Sequence, residues 1–287
     1  MSPQHLDYLI ELLDDPDSQV FENISGEIIS GADNFADRLE DAWFDTTNQL
    51  KRSRIEYLIK EIRQNKLVSS LENWKAAGQS LLNGYLILHS FLNPHQDNTH
   101  WLNKISKIKK DIWLEITDDL TAIDKVELLS RVLRKDLGIS GSHVSLADTD
   151  TYFLENMIQT HAGNSLSITM LALILAEHMG VNLDVVNIAD NFLLALHIDV
   201  YEEQGETVRE KELAFYLNLL DDNGFYIKEQ ICKFFNCYKL SLSEEYFKPL
   251  SDVDVLRKWC RLLSKLYNHH NCNYKCSALQ RCVEVLQ

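Results

Sequence analysis

Histidine and cysteine side chains near the end of the chain are the clearest candidates for metal chemistry. His269, His270, Cys272, Cys276 and Cys282 fall in the run HHNCNYKC and just beyond it. Zinc sites use two well-separated pairs of ligands, which this run lacks, and cysteines at helical spacing equally form one buried face. We therefore expect the cysteines to form a buried helix face, and we predict neither a metal site nor a cofactor. All six cysteines fall in the last fifth of the chain without the spacing of a disulfide framework, so we expect reduced thiols.

The charge balance restricts the class of partner. The 287-residue chain has 28 Lys and Arg against 43 Asp and Glu, a formal net charge of −15. This charge repels a phosphate backbone and an anionic membrane surface, so we predict neither nucleic acid nor a membrane as partner. The densest basic run, Lys104, Lys107, Lys109 and Lys110, is typical of a solvated helix face. No P-loop, EF-hand or dinucleotide fingerprint is present in the sequence.

The sequence also indicates a location. No apolar run approaches the roughly 18 residues that span a bilayer. The opening MSPQHLDYLIELLDDPD carries Asp and Glu where a signal peptide would carry Lys or Arg. The expected location is the cytoplasm.

The first part of the chain, to about residue 140, has the apolar spacing of helices. Leu6, Leu9, Ile10 and Leu13 recur at helical spacing, and a second run follows the turn at Pro16. The stretch DPDSQVFENISGEIISGADNFADRLEDAW looks like a HEAT-type helical repeat. Further helices are predicted at 54–62, 74–92, 101–114 and 125–137.

The pattern changes after residue 150. A short helix over 153–158 stops near Gly163, and a second helix runs from Ser165 to His178 and ends at Gly180, a suitable left-handed cap. Three β-prone runs follow at 183–188, 192–200 and 213–220, with the polar stretch YEEQGETVREKE as a hairpin excursion between the last two. One helix packed on a small antiparallel sheet is the economical interpretation. The predicted fold class is therefore α+β, predominantly α.

Ser165 opens the second of these helices, and its hydroxyl has two interpretations. Serine is a favoured N-cap residue because its oxygen accepts from the free N–H groups of the first turn. A serine can also act as a nucleophile where an adjacent base removes its proton.

The stretch TYFLENMIQTHAGNSLSITMLALILAEHMGVNLDVVNIADNFLLAL resembles the core of transglutaminase-like proteins of the bacterial SirB group. That group places its nucleophile two residues after one glycine and fifteen before the glycine that ends the helix. Gly163 and Gly180 put this position at Ser165. The resemblance implies three parts: a helical, HEAT-like region at 1–140, a transglutaminase-like core at 141–247, and a tetratricopeptide-like helical hairpin at 248–287.

The resemblance also implies a chemistry, acyl transfer by a Cys-His-Asp arrangement. Carried over by position, the nucleophile becomes Ser165, the histidine becomes Asn191 and the aspartate becomes Asn218. An amide cannot accept a proton at any useful pH, so the general base is missing. We expect instead that Asn191 and Asn218 keep the hydrogen bond between strands that the histidine and aspartate would make.

Other residues are candidates for the missing groups. His161 and His197 are the nearest histidines, but His161 is expected to face away at a helix end, and His197 lies further along its strand. Asp221 or Asp222 would replace Asn218 only if the strand slipped, and a base would still be needed.

Three functions in different classes remain open. The leading one is a non-catalytic interaction or regulatory module that binds one or more protein partners. The second is a residual serine-dependent hydrolase or acyltransferase that uses Ser165. The third is a binder of a small molecule or peptide, in which Asn191 and Asn218 hydrogen-bond the ligand in the former cleft.

Overall fold

The protein is described by a computed structural model that covers residues 3–31, 36–139, 148–201, 208–221 and 224–287. The chain divides into two units, Met1–Ala77 and Gly78–Gln287. Helices dominate, and a small antiparallel sheet lies in the second unit. The predicted fold class, α+β and predominantly α, is confirmed. The division near residues 140 and 247 stays a prediction.

Helices build the first unit. They are α1 (Pro3–Glu11), α2 (Ser18–Ser30), α3 (Ala36–Asp45) and α4 (Gln49–Ala77). Their apolar faces meet in a core that includes the fully buried Leu6, Leu13, Ile28, Leu39, Ile55 and Leu58. Asp17 caps α2 by accepting from the N–H of Gln19. The expected pair of helices around the Pro16 turn is confirmed, whereas its HEAT-type identity stays a prediction.

The end of α4 corrects the sequence prediction. One helix was expected over 74–92, but α4 ends at Ala77 and the next helix begins only at Leu81. Gly78 between them has φ +59°, a left-handed conformation that ends a helix and suits glycine. Apolar residues lie at helical spacing on both sides, so periodicity alone misses the break.

Most of the second unit is also helical. Its helices are α5 (Leu81–Leu92), α6 (Thr99–Glu115), α7 (Ala122–Arg131), α8 (Leu154–Thr160), α9 (Ser165–His178), α10 (Lys228–Cys237), α11 (Asp252–His269) and α12 (Asn273–Val285). A π-type turn, Val132–Asp136, follows α7, and 3₁₀ turns lie at Thr149–Tyr152 and Glu244–Phe247. The helix predicted over 125–137 therefore consists of α7 and this π-type turn.

Helix α9 is the central helix of this unit. It is apolar on nearly every side, which is typical of a helix buried in a core, and its bounds match the sequence prediction. Gly180 after it has φ +65°, so the predicted left-handed cap is confirmed. The preceding helix α8 ends at Thr160 and not near Gly163, because His161 already takes the left-handed conformation with φ +61°.

The sheet follows α9 in the chain. Its strands are β1 (Leu183–Ile188), β2 (Asn191–Tyr201), β3 (Val208–Leu217) and β4 (Phe225–Tyr226), antiparallel in the order β1-β2-β3-β4. The three predicted strands and their antiparallel pairing are confirmed. A two-residue turn of Ala189 and Asp190, both with positive φ, joins β1 to β2 as the right-handed strand twist favours. Helix α9 packs on β2.

The third strand corrects the predicted bounds. It was expected over 213–220, but β3 begins at Val208 and ends at Leu217, so it includes the last part of the polar stretch assigned to a hairpin excursion. Pairing with β2 continues through these residues, because the backbone hydrogen bonds of a ladder do not require apolar side chains. Residues 202–207 of the predicted excursion lie outside the described residues.

A hydrogen-bonded polar group lies inside the core of the second unit. The hydroxyl of Tyr85 on α5 donates to Oε2 of Glu155 on α8 at 2.8 Å and accepts from the N–H of Leu154 at 2.9 Å. The other carboxylate oxygen of Glu155 contacts Nε2 of His89, also on α5. Burial, and then the charge of Glu155, raise the pKa of Tyr85 well above its usual value, so the phenol keeps its proton. Because a buried carboxylate is tolerated only when it is paired, these contacts fix α5 against the start of α8.

Aromatic rings enclose this polar group. The ring of Tyr85 meets those of Trp101 and Trp259 edge to face, with centroids 6.0 and 5.6 Å apart. Phe153 packs in the same way against Trp259 at 5.7 Å. The indole N–H of Trp259 donates to the carbonyl of Tyr152 at 2.8 Å. Helices α5, α6 and α11 and the turn before α8 therefore converge on one cluster.

The C-terminal helices α11 and α12 form the predicted helical hairpin. Cys260 and Cys282 are fully buried between them and lie within hydrogen-bond contact of each other. Burial raises the pKa of the Cys260 thiol well above its usual value, which makes it unreactive. Cys276 is also buried, as expected of a packed face, whereas Cys272 is exposed, and all six thiols are free. The tetratricopeptide-like identity of the hairpin stays a prediction.

The buried network predicts a large effect of removing one hydroxyl. Tyr85→Phe leaves a carboxylate oxygen and the Leu154 N–H without their partner, so we expect the free energy of unfolding to fall by about 2 kcal/mol. Urea denaturation followed by tryptophan fluorescence measures this loss. Tyr238→Phe, at a ring that is 67% exposed, is the matched control and should change stability by less than about 0.5 kcal/mol.

The stability of the wild type and of Tyr85→Phe should also differ in its dependence on pH above about pH 10. A tyrosine in the unfolded chain ionises near pH 10, whereas the pKa of Tyr85 in the folded protein lies well above this value. Its contribution to stability is therefore present below about pH 10 and is lost as the pH rises further. The wild type should lose more stability than Tyr85→Phe above that pH, and equal losses would contradict a buried, protonated phenol.

Candidate functional site

Helix α9 begins at the candidate nucleophile, but Ser165 is not its N-cap. Asn164 takes that place: its Oδ1 accepts from the N–H of Ser167 at 3.0 Å, and its Nδ2 donates to the carbonyl of Thr151 at 3.1 Å. The hydroxyl of Ser167 donates to the same carbonyl at 2.8 Å. The interpretation of Ser165 as the cap is therefore wrong. Asparagine is among the preferred N-cap residues, and the bond from Asn164 to Thr151 also holds this side chain in place.

The glycine before this helix has a steric reason. A Cβ on Gly163 would lie 2.6 Å from Sδ of Met157 and 2.8 Å from Oγ of Ser167, closer than real Cβ atoms come. Its φ is ordinary, so the requirement is space and not backbone conformation. Gly163 thus lets the end of α8 pack against the first turn of α9.

Ser165 lies against the first residues of β2. Its Oγ accepts from the N–H of Phe192 at 3.5 Å, a long hydrogen bond, and Thr169 one turn later donates to the Phe192 carbonyl at 3.3 Å. Asn191 is the preceding residue, so its backbone lies near Ser165, whereas its side chain lies on the other face of β2 from that of Phe192. The side chain of Asn191 is exposed and makes no hydrogen bond to any other residue that the structure describes.

Asn218 lies just beyond the end of β3. Its Nδ2 donates to Oδ2 of Asp221 at 2.8 Å, and its Oδ1 accepts from the N–H of Leu220 at 3.0 Å. The hydroxyl of Tyr226 donates to the same Asp221 oxygen at 2.8 Å, and this bond is the main reason that the pKa of Tyr226 is raised. The amide of Asn218 thus bonds within its own turn and not to Asn191 as expected, because a short polar side chain readily binds the backbone two residues on.

The register of the sheet gives the relation between the two amides. Leu194 of β2 pairs with Leu217 of β3, so one further step places Asn218 across from Leu193. Asn191 is two residues from Leu193 on the same face of β2. Ser165, Asn191 and Asn218 therefore lie at one end of the sheet, where α9 begins, and we call them the candidate site. Asp222, the alternative to Asp221 as a substitute for Asn218, is outside the described residues.

Both histidines nearest in sequence contact other groups. His161 is exposed, and its Nδ1 contacts the carbonyl of Leu137 at 2.5 Å. His197 lies six residues from Asn191 along β2, or roughly 20 Å, and its Nδ1 pairs with Oδ2 of Asp184 at 3.0 Å. That neither histidine takes part in catalysis stays a prediction, and these contacts are consistent with it.

Two features of the site were not predicted from the sequence. Asp190, in the turn before Asn191, is an acidic residue next to the candidate site in the chain. The pKa of Tyr152 is raised, mainly because this tyrosine is buried and further because of the charge of Asp190. Thr151 supplies the carbonyl that fixes the start of α9. The turn at Asp190 could have been predicted, because an aspartate followed by β-prone residues is typical of a turn. The role of the Thr151 carbonyl could not, because every residue has a backbone carbonyl.

Neither a cluster of metal ligands nor a helix that could span a membrane is present among the described residues. In the ranges that the structure describes, no three His, Cys, Asp or Glu side chains come together in a way that could hold a metal ion. None of the described helices is long and apolar enough to cross a membrane.

Comparison with known proteins identifies the family. Residues 99–261, from the start of α6 into α11, match the transglutaminase-like superfamily, and this match covers more than half of the chain. The chain belongs to the transglutaminase-like superfamily. No curated protein and no solved structure matches it.

The capping contacts predict how the site is held. Asn164→Ala removes the acceptor for the Ser167 N–H and the donor to Thr151, so we expect the free energy of unfolding to fall by about 2 kcal/mol. Asn164→Ser keeps an N-cap oxygen and should lose about half as much. Thermal and urea denaturation measure both values. The exposed Asn182→Ala is the control, and an Asn164→Ala protein as stable as that control would contradict the capping role.

Proposed function

We propose that this protein is a non-catalytic member of the transglutaminase-like superfamily, similar to the SirB group, which acts in the cytoplasm as an interaction or regulatory module for a protein partner. The observation that carries the proposal is the candidate site itself. Ser165 is held beside β2, and the neighbouring position that needs a proton acceptor is the amide of Asn191.

The acid–base chemistry supports this proposal. A serine hydroxyl is almost wholly protonated near neutral pH and needs a base to become a nucleophile. The base contributes about two to four powers of ten in rate, and His161 and His197 both have other contacts. The Ser165 oxygen also accepts from a backbone N–H, which is a structural use of the same lone pairs.

The helical parts of the chain support a binding role. The hairpin of α11 and α12 and the helices of the first unit resemble repeats that hold proteins together through their surfaces. A fold that keeps its core and changes its reacting groups retains the shape needed for recognition.

A labelling experiment tests the absence of catalysis. A fluorophosphonate probe should give no more labelling of the wild type than of Ser165→Ala, because an amide occupies the position of the general base. Labelling that Ser165→Ala removes would overturn the non-catalytic proposal in favour of a serine hydrolase or acyltransferase.

A restored variant shows whether a reagent can reach the site. In Ser165→Cys the thiol lies in the first turn of α9, where the helix dipole should lower its pKa below the usual value of about 8.5. Iodoacetamide should alkylate it faster than the exposed Cys237, and adding Asn191→His should raise the rate further at neutral pH. The native cysteines all lie beyond residue 231, so peptide mass spectrometry separates position 165 from them. If the thiol of this variant reacts, reagents can reach position 165. The absence of labelling in the wild type would then reflect the low reactivity of Ser165 and not a lack of access.

A cavity beside the candidate site favours small-ligand binding as a second function. It has a volume of about 520 Å³, and its lining comes from the β1–β2 hairpin and from the segment 245–258: Asn187, Ala189, Asp190, Glu245, Tyr246, Lys248, Pro249, Leu250, Asp254 and Lys258. The buried Oδ1 of Asn187 has no hydrogen-bond partner among the described residues. An unpaired buried acceptor favours a ligand with an N–H group, such as an amine or an amide.

A thermal-shift screen of primary amines and amides tests this second function. A ligand that binds the folded protein must raise its melting temperature. Asn187→Leu should abolish the shift by removing the acceptor, whereas the exposed Asn182→Leu should keep it. Equal shifts of the melting temperature in both variants would exclude the cavity at the β1–β2 hairpin as the binding site.

A further inference from the structure

We propose that a groove along α6 binds an acidic segment of a partner protein, through carboxylates at its lysines and an apolar side chain at its tryptophan. The groove is lined by Ser106, Lys109, Lys110 and Trp113 of α6 and by His178 at the end of α9, and we call it the α6 groove. This inference rests on the proposed function, because it names a binding surface and the chemistry of the partner.

The lining of the groove follows from helix geometry. Ser106, Lys109, Lys110 and Trp113 have the spacing i, i+3, i+4 and i+7, which places them on one face of α6. This stripe is roughly 10 Å long, the length of about three residues of extended chain. The volume of the groove is about 430 Å³. A short extended segment therefore fits along the stripe.

The groove offers an apolar surface as well as charge. The side chain of Trp113 is 64% exposed, although a large aromatic ring favours burial. Lys109 is half-buried, so its carbon stem adds apolar surface next to the ring. A tryptophan one helical turn from two lysines suits a segment that alternates an acidic and an apolar residue.

The charge of the groove is the reverse of the charge of the chain. Among the described residues no carboxylate lines it, although the chain has a net charge of −15. Neither Lys109 nor Lys110 forms an ion pair with a carboxylate in the described part of the chain. Two ammonium groups without carboxylate partners attract an anionic ligand, and the acidic remainder of the surface repels a polyanion such as nucleic acid.

The opposite face of α6 provides an internal comparison. There Lys104 and Lys107 line a separate cavity together with the carboxylates of Asp111, Glu115 and Asp136. Acidic and basic groups balance each other on that face. The α6 groove differs because its described lining has lysines without such neighbours, so the four lysines that look equivalent in sequence form two environments.

The donor groups favour carboxylates spread along a peptide over a single phosphate. Lysine binds phosphate as well as carboxylate, but the groups that hold a phosphate most firmly are arginine forks and the free N–H groups at the start of a helix, and the described lining of the α6 groove has neither. His178 lies in the last turn of α9, where the helix dipole is negative and disfavours a concentrated dianion. Peptide carboxylates carry one negative charge each and can bind the two lysines separately. They need neither an arginine fork nor a helix N-terminus, and they place no dianion near His178.

Fluorescence anisotropy with the full chain tests the proposal. The probe is a short fluorescein-labelled peptide of alternating glutamate and phenylalanine, and its counterpart carries glutamine in place of glutamate. The wild type should bind the glutamate peptide at least about tenfold more tightly than the glutamine peptide, and added salt should reduce the difference.

Variants place the binding on one face of α6. Lys109→Glu with Lys110→Glu should weaken binding of the glutamate peptide by about tenfold, and Trp113→Ala should weaken it independently of charge. Lys104→Glu with Lys107→Glu makes the same charge change on the opposite face and should leave the affinity within about twofold. All these side chains except the half-buried Lys109 are exposed, and Trp113→Ala alone also tests the groove.

Several outcomes would overturn the α6 groove as a peptide site. They are equal binding of the two peptides by the wild type, an equal loss in both lysine pairs, and displacement of the peptide by inorganic phosphate at lower concentrations than the unlabelled peptide itself. None of these variants touches Ser165. Labelling of Ser165 would therefore overturn the proposed function alone, and absent peptide binding with Ser165 unlabelled would overturn the groove alone.

Discussion

The buried carboxylate of Glu155 is the constraint on which the second unit depends. It is 5% exposed, so its polar atoms must be satisfied inside the core, and Tyr85 and His89 of α5 supply the partners. The same tyrosine accepts from the N–H of Leu154, which fixes the first residue of α8 as well as its side chain. The residues just before α8 are thereby held in place, and Tyr152 receives the indole of Trp259. One buried carboxylate thus sets where α5, α8 and α11 meet.

The position of the candidate site follows from that constraint. Thr151 lies in the fixed turn before α8, and its carbonyl binds Asn164 and Ser167 at the start of α9. The start of α9 in turn places Ser165 against Phe192 at the beginning of β2. Most of the hydrogen bonds that position the start of α9 come from the Thr151 carbonyl and the Asn164 cap, and Ser165 itself adds the bond to Phe192. The scaffold around the candidate site thus has hydrogen bonds of its own.

The elements that signal themselves locally were predictable from the sequence. Helix α9 and strand β1 have the predicted bounds, because the apolar positions of each are bounded by glycine or polar residues that end the element. The break at Gly78 was missed because apolar spacing continues across it. The contacts of Tyr85 with Glu155 were out of reach for a different reason. They join residues 70 positions apart, and periodicity shows which face is buried without showing its partner. Asn218 shows a third reason, since a turn that uses its own amide cannot be distinguished in sequence from a strand that offers the amide to a neighbour.

The two faces of α6 show how the same limit applies to charge. Composition gives a net charge of −15, and from it the lysines of this helix were interpreted as a solvated face. That average holds for Lys104 and Lys107, whose cavity also contains carboxylates. Lys109 and Lys110 differ in their neighbours, because the fold sets them beside Trp113 in a groove whose described lining contains no acid. Salt screens a distant charge within about 10 Å, so a ligand at the surface responds to the nearest side chains more than to the sum. The net charge of a chain therefore does not give the local charge that a ligand meets, which depends on where the fold places each side chain.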